Sequence, residues 1–196
     1  MKDFIYRIDF AINDFIAEHL TAPFLDPVMK FITFLGDGGW FWITLCAIFL
    51  CFKKTRRYGV VMGISLIFST LVTNVILKPL IARPRPWVLR EELLETIKID
   101  LPGKNSFPSG HTTGSFSAAC ALFWENKKAG TPALILAALV SYSRLYFFVH
   151  YPTDVLGGIL VGFGASTAAH FLLPQIEKGI KALIEKIKEE KSQKES

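Results

Sequence analysis

The chain is short of the residues that build metal cages and covalent staples. Its three cysteines, Cys46, Cys51 and Cys120, lie inside apolar runs without the paired spacing of a zinc or redox site, so they read as small packing residues. The histidines lack paired ligand spacing and acids are sparse near them, so neither a metal nor another cofactor is expected. No internal repeat or low-complexity stretch appears. No cleavable signal peptide is expected either, because "MKDFIYRIDFAINDF" interrupts its apolar residues with Asp3, Arg7, Asp9 and Asp14. Charge is scarce as well, at 20% of residues.

What fills the space is hydrocarbon. Apolar residues make up 51% of the chain, and the mean hydropathy is +0.37. That is high for a water-soluble globule and points to the bilayer as the partner. The net charge of +5 sits in clusters at the ends of apolar segments, which membrane topology explains, so no nucleic acid partner is expected. From Trp40 onward, apolar stretches alternate with short polar ones: Trp40–Phe52, Tyr58–Leu77, His111–Trp124, Thr131–Val149 and Val155–Leu173. The expected fold is all-α, a polytopic membrane helical bundle of five to six transmembrane helices.

The basic stretches "KKTRR" (Lys53–Arg57), "ENKK" (Glu125–Lys128) and the lysine-rich tail would share one side, which the positive-inside rule makes cytoplasmic. The Pro79–Pro108 segment and "HYPTD" fall on the other. Phe4, Ile5, Ile8, Ile12, Phe15 and Ile16 recur at helical spacing with acids opposite, which predicts an interfacial amphipathic helix. Residues 1–39 either contribute a first crossing or lie on the outer surface. Ile176, Ile180, Leu183, Ile184 and Ile187 predict a second amphipathic helix. The chain thus divides into a membrane domain, 1–174, and a cytoplasmic tail, 175–196. Gly158 and Gly162 suit close helix packing and do not imply an oligomer.

Three polar clusters fall on the outer side. In "KPLIARPRPW" (Lys78–Trp87), prolines fix the backbone around Arg83 and Arg85 more firmly than snorkelling to headgroups needs, and a pre-shaped guanidinium suits bidentate phosphate binding. In "NSFPSGHTTGS" (Asn105–Ser115), Ser109 is an N-cap. The helix start behind it favours an anion, Gly110 lets a ligand approach, and His111 stands where it could exchange a proton. In "SRLYFFVHYPTD" (Ser143–Asp154), Arg144 is an intramembrane charge that needs an interior partner. His150 could be a nucleophile oriented by Asp154, or simply a polar loop histidine. Taken together, the clusters suit phosphoryl transfer. Lys78, Arg85 and Arg144 would hold phosphate, with Ser109 and Gly110 beside them and Arg83 as an auxiliary. His150 would attack and His111 would serve as acid and then base.

At these residues the sequence resembles the type 2 phosphatidic acid phosphatase superfamily. Lys78, six residues and Arg85-Pro86 match its first element. Pro108-Ser109-Gly110-His111 match the second, and Ser143-Arg144, five residues, His150, three residues and Asp154 match the third. The resemblance implies an all-helical, metal-independent phosphatase with these residues in these roles. The superfamily also holds soluble acid phosphatases and vanadate-dependent haloperoxidases, and the membrane helices favour the lipid branch. The expectation is a multi-pass lipid phosphate phosphatase of a bacterial plasma membrane, with its site facing outward. Undecaprenyl diphosphate is the first choice of substrate, and phosphatidylglycerophosphate or phosphatidic acid the alternative. A non-catalytic lipid-phosphate binding or transport protein and a haloperoxidase are the competing classes.

Overall fold

A computed structural model describes residues 2–195, with side chains described except at 2, 180, 181 and 186–195. The helices are α1 (Lys2–His19), α2 (Asp26–Gly36), α3 (Trp40–Cys51), α4 (Arg56–Thr70), α5 (Lys78–Ile81), α6 (Pro86–Leu89), α7 (Gly110–Glu125), α8 (Lys127–Tyr146) and α9 (Pro152–Glu195). No strand occurs among the described residues. Pro23–Cys51, Arg56–Ile81 and Pro152–Glu185 are each long and apolar enough to cross a membrane.

Helix α7 is the axis of the bundle, with α4, α8 and α9 packed around it. Its sequence explains why. Ser115, Ser117, Ala118, Ala119 and Ala121 are all buried, and their small side chains let neighbouring backbones come close. A Cβ on Gly158 would lie 2.9 Å from the Ser109 carbonyl oxygen, and one on Gly162 would lie 2.7 Å from that of Thr113. The two glycines therefore seat α9 on α7 within one chain. Two hydrogen bonds in this interior pair polar groups across helices. Trp42 Nε1 donates to Ser115 Oγ at 2.9 Å, and Ser65 and Ser117 hydroxyls meet at 2.5 Å.

Helix α8 begins at Lys127, earlier than the apolar run starting at Thr131, because the Asn126 side chain caps it by accepting from Ala129 N–H. It ends at Tyr146, so Phe147–Val149 form a turn with Phe148 at φ 56°. Between α4 and α5, Leu71–Leu77 are π-helical, and Lys78 N–H reaches back to the Thr73 carbonyl. This wide turn resets the rotation of the helix just before Lys78. Helix α9 runs through Pro174 without a break. Ile176, Leu183 and Ile184 are exposed on its far part, whereas the side chains of Ile180 and Ile187 lie outside the described residues.

The two ends of the bundle differ. At one end Arg57 donates to Glu125 at 2.7 Å and His170 meets the other Glu125 oxygen at 2.7 Å, which joins α4, α7 and α9 beside the basic loops. At the other end lie the 79–108 segment, the "HYPTD" turn, α1 and α2. Helix α1 is amphipathic as expected, but part of its polar face meets the protein in place of water. Phe4, Ile8, Ile12 and Phe15 face outward, whereas Asp9 and Asn13 are buried against the protein. The apolar face is left for hydrocarbon, Asp9 and Asn13 find partners inside, and Asp3, Asp14 and Glu18 stay exposed.

Candidate active site

The site is assembled by three turns at one end of the bundle. His150 and Asp154 sit one helical turn apart across the start of α9, where Tyr151 N–H also donates to Asp154 Oδ2 at 3.0 Å. His150 Nδ1 lies 3.2 Å from Asp154 Oδ2, and Arg85 Nη1 lies 3.0 Å from His150 Nε2. A guanidinium can only donate, so Nε2 must carry the lone pair and Nδ1 the proton, which goes to the carboxylate. Both residues are buried. Arg85 is held from behind by the carbonyls of Gly103 and Val149, each at 2.6 Å. This anchoring reflects the fixed backbone between Pro84 and Pro86.

Lys78, Arg144 and His111 converge on the same point. Burial lowers the His150 pKa well below 6.5, and Arg85, Arg144, His111 and Lys78 all push in the same direction by repulsion. Burial likewise lowers the Arg85 guanidinium to about 10, which leaves it charged at neutral pH. Arg144 donates to Thr33 Oγ1 of α2, while its buried Nε has no partner among the described residues. An unpaired donor of this kind is costly unless a ligand meets it. The site is therefore a pocket of positive charge around a neutral imidazole, an arrangement that an anion would complete.

The second sequence cluster supplies the helix start. Ser109 Oγ caps α7 by accepting from Thr112, and the Ser109 N–H donates to the Asp154 carbonyl at 3.1 Å. Ser109 is thus committed to capping. The N–H groups of Gly110 and His111, first in the helix, remain without intrahelical partners. Lys78 Nζ is close by, 3.5 Å from where a Gly110 Cβ would stand. Arg83 is turned the other way. It donates to Asp154 Oδ1 at 2.7 Å and to Asp9 Oδ2 at 2.5 Å, so it lies behind the carboxylate and apart from the free cations.

Sequence reasoning missed four residues here: Asp9, Asn13, Thr33 and Asp37. Asp37 Oδ1 lies 2.7 Å from His111 Nε2, and Asn13 Nδ2 donates to the His150 carbonyl at 3.3 Å. "LGDGG" read only as a turn. Its glycines do take positive φ, 59° and 72°, but the aspartate before them serves the histidine. Two cavities meet at His111. One, of about 500 Å³, is polar and reaches Lys30, Lys98 and Arg144. The other, of about 680 Å³, is an apolar groove past Trp42, Ile43, Leu66 and Ile67 that ends at Lys78 and Gly110. A cationic pocket joined to an apolar groove has the shape and charge that a phosphorylated lipid requires.

Comparison with known proteins agrees. The model of the PAP2 superfamily matches residues 54–177. The chain is 33% identical over 139 residues to undecaprenyl-diphosphatase BcrC of Bacillus subtilis (strain 168), covering 70% of this chain and 69% of the relative. It is 36% identical over 156 residues to an undecaprenyl-diphosphatase of Sulfolobus acidocaldarius, covering 78% and 71%. Among solved structures, a transmembrane PAP2-type phosphatidylglycerolphosphate phosphatase from Bacillus subtilis superposes with a TM-score of 0.68 at 27% identity, covering 90% of this chain and 87% of that one. The chain belongs to the PAP2 superfamily and is a multi-pass membrane lipid phosphatase.

Proposed function

We propose that the protein removes the terminal phosphate of undecaprenyl diphosphate through a phosphohistidine on His150. The observation that carries the mechanism is the fixed tautomer of His150, with Nδ1–H on Asp154 and the Nε2 lone pair facing Arg85. When phosphate enters, Arg85, Arg144 and Lys78 take its oxygens, which frees Nε2. The Nε2 lone pair then forms a bond to phosphorus. The phosphorus–oxygen bond to the lipid breaks with its electron pair, and the leaving oxygen takes a proton from His111. Asp154 balances the positive ring that results. His111 next accepts a proton from water as the water oxygen attacks phosphorus, and the nitrogen–phosphorus bond returns its pair to Nε2. No step uses a metal; the cations of the pocket carry the transition-state charge.

The choice of lipid is supported by the two undecaprenyl-diphosphatases among the relatives and by the groove leading to Lys78. Phosphatidylglycerophosphate is the second reading, favoured by the structural neighbour. We further propose a bacterial plasma membrane location. The basic end faces the cytoplasm and the site faces outward, with α3, α4–α5, α7, α8 and α9 crossing and α1 and α2 at the site end. The test is phosphate release by the purified protein in detergent with a chelator, from undecaprenyl diphosphate, phosphatidylglycerophosphate and phosphatidic acid at equal surface concentration. The proposal expects the diphosphate to have the highest kcat/KM. A clear preference for a glycerophospholipid would overturn the substrate, and the absence of release from all three would favour a binding or transport protein.

A further inference from the structure

The helix outside the family match reaches the heart of the site. Helix α1 ends at His19, well before the matched residues 54–177, yet it touches both ends of the "HYPTD" turn. Asn13 donates to the His150 carbonyl, and Tyr6 and Phe10 pack edge-on against the Tyr151 ring, with centroids at 5.5 and 5.4 Å. Asp9 is fully buried and accepts three hydrogen bonds. They come from Thr153 N–H at 3.0 Å, Thr153 Oγ1 at 2.6 Å and Arg83 Nη2 at 2.5 Å. Arg83 Nη1 bridges onward to Asp154 Oδ1 at 2.7 Å, and its guanidinium lies over the Tyr151 ring at 4.0 Å. His150, Asp154, Arg83 and Asp9 therefore form one continuous chain of contacts.

The charge count along that chain decides what Asp9 does. Asp154 must offset the positive charge that appears on His150 when the phosphoenzyme forms. Arg83 alone would cancel that carboxylate, because the two are in direct contact. A second buried carboxylate on the far side of Arg83 leaves the group of three with one net negative charge. We propose that Asp9 is a positioning residue of the phosphatase. It engages Arg83 and Thr153 from α1, so that Arg83 orients Asp154 without neutralising its support of His150. A buried ion pair contributes little to net stability by itself, so its value here lies in the charge it leaves for the reaction. The inference rests on His150 being the nucleophile.

The test exploits opposite charge changes at two contacting residues that touch no phosphate in this arrangement. His150 is faced by Asp154 from α9, Arg85 from the 83–89 segment, Arg144 from α8, His111 from α7 and Lys78 from α5. Asp9→Asn removes a negative charge behind this set and disfavours protonation of His150. Its kcat should fall about tenfold with KM nearly unchanged, and the acid limb of kcat/KM should move to lower pH. Arg83→Gln leaves two carboxylates facing one another, so its acid limb should move to higher pH. The double variant should regain part of the Asp9→Asn loss, because Asp154 then faces no neutralising cation.

Thermal melting and vanadate binding report folding, and if Asp9→Asn does not fold, the Arg83→Gln limb carries the test alone. A mere strut would lower the active fraction and leave every limb in place, and that result would overturn the proposal. Failure of the nucleophile reading looks different: His150→Ala would retain turnover, whichever way the limbs move.

Discussion

A single methyl group at Gly36 should disable the enzyme without unfolding it. Gly36 ends α2 and faces α7 and α8 edge to edge. A Cβ there would stand 2.6 Å from His111 Cδ2 and 2.8 Å from Val140 Cγ1. Ordinary carbon–carbon contact is about 3.5–4.0 Å, so the His111 ring would have to retreat by about 1 Å. Val140 is fully buried and has little room to yield, so the end of α2 must also back away from α8. Displacing an acid by about 1 Å from its proton acceptor costs on the order of 100-fold in rate. Gly36→Ala should therefore lower kcat about 100-fold while the protein still melts cooperatively and binds vanadate. The assay is steady-state phosphate release in detergent, run beside His111→Ala and the double variant. If the methyl acts through the ring, the double variant should be no slower than His111→Ala alone. Wild-type kcat in Gly36→Ala would refute the reasoning, since it would mean that neither the position of His111 nor the floor of the groove is set by α2.

Two other perturbations separate the site from its scaffold. Because burial and the surrounding cations disfavour protonation of His150, the neutral nucleophile should persist to lower pH than an ordinary histidine, and the acid limb of kcat/KM should lie below pH 6.5. An acid limb above pH 6.5 would contradict this reading of His150. At the far end, Glu125→Gln weakens the contacts to Arg57 and His170. Arg57 is partly exposed, so melting should drop by only about 1 kcal/mol of stability, with kcat unchanged. A fall in kcat there would show that the two ends are coupled.

Much of the site could be read from the sequence because its residues are out of place where they stand. A lysine, two arginines, two histidines and an aspartate among apolar runs are costly in lipid, and their spacing carried the resemblance. The order and approximate length of the apolar helices followed from the same contrast. What could not be read was the partnership between distant segments. Asp9 looked like one acid on the polar face of a surface helix, and its partners lie 74 and 144 residues away. Asp37 sat in a glycine turn with a sufficient local explanation, and its histidine is 74 residues on. Arg83 looked like a phosphate contact, since no local feature says which carboxylates will surround a guanidinium. Only packing reveals that α1 turns Asp9 and Asn13 inward and Ile5, Ile8 and Ile12 outward.

The central claim is a covalent phosphoenzyme on His150, and rapid quenching tests it most directly. The purified protein is mixed with undecaprenyl diphosphate labelled in its terminal phosphate, stopped in alkali within a single turnover, digested and sequenced. The account predicts label on the peptide containing His150, stable in alkali and released in acid. That label should build up in His111→Ala and be absent from His150→Ala. Turnover in the wild-type enzyme with no protein-bound label at any quench time, or label on a residue other than His150, would contradict it.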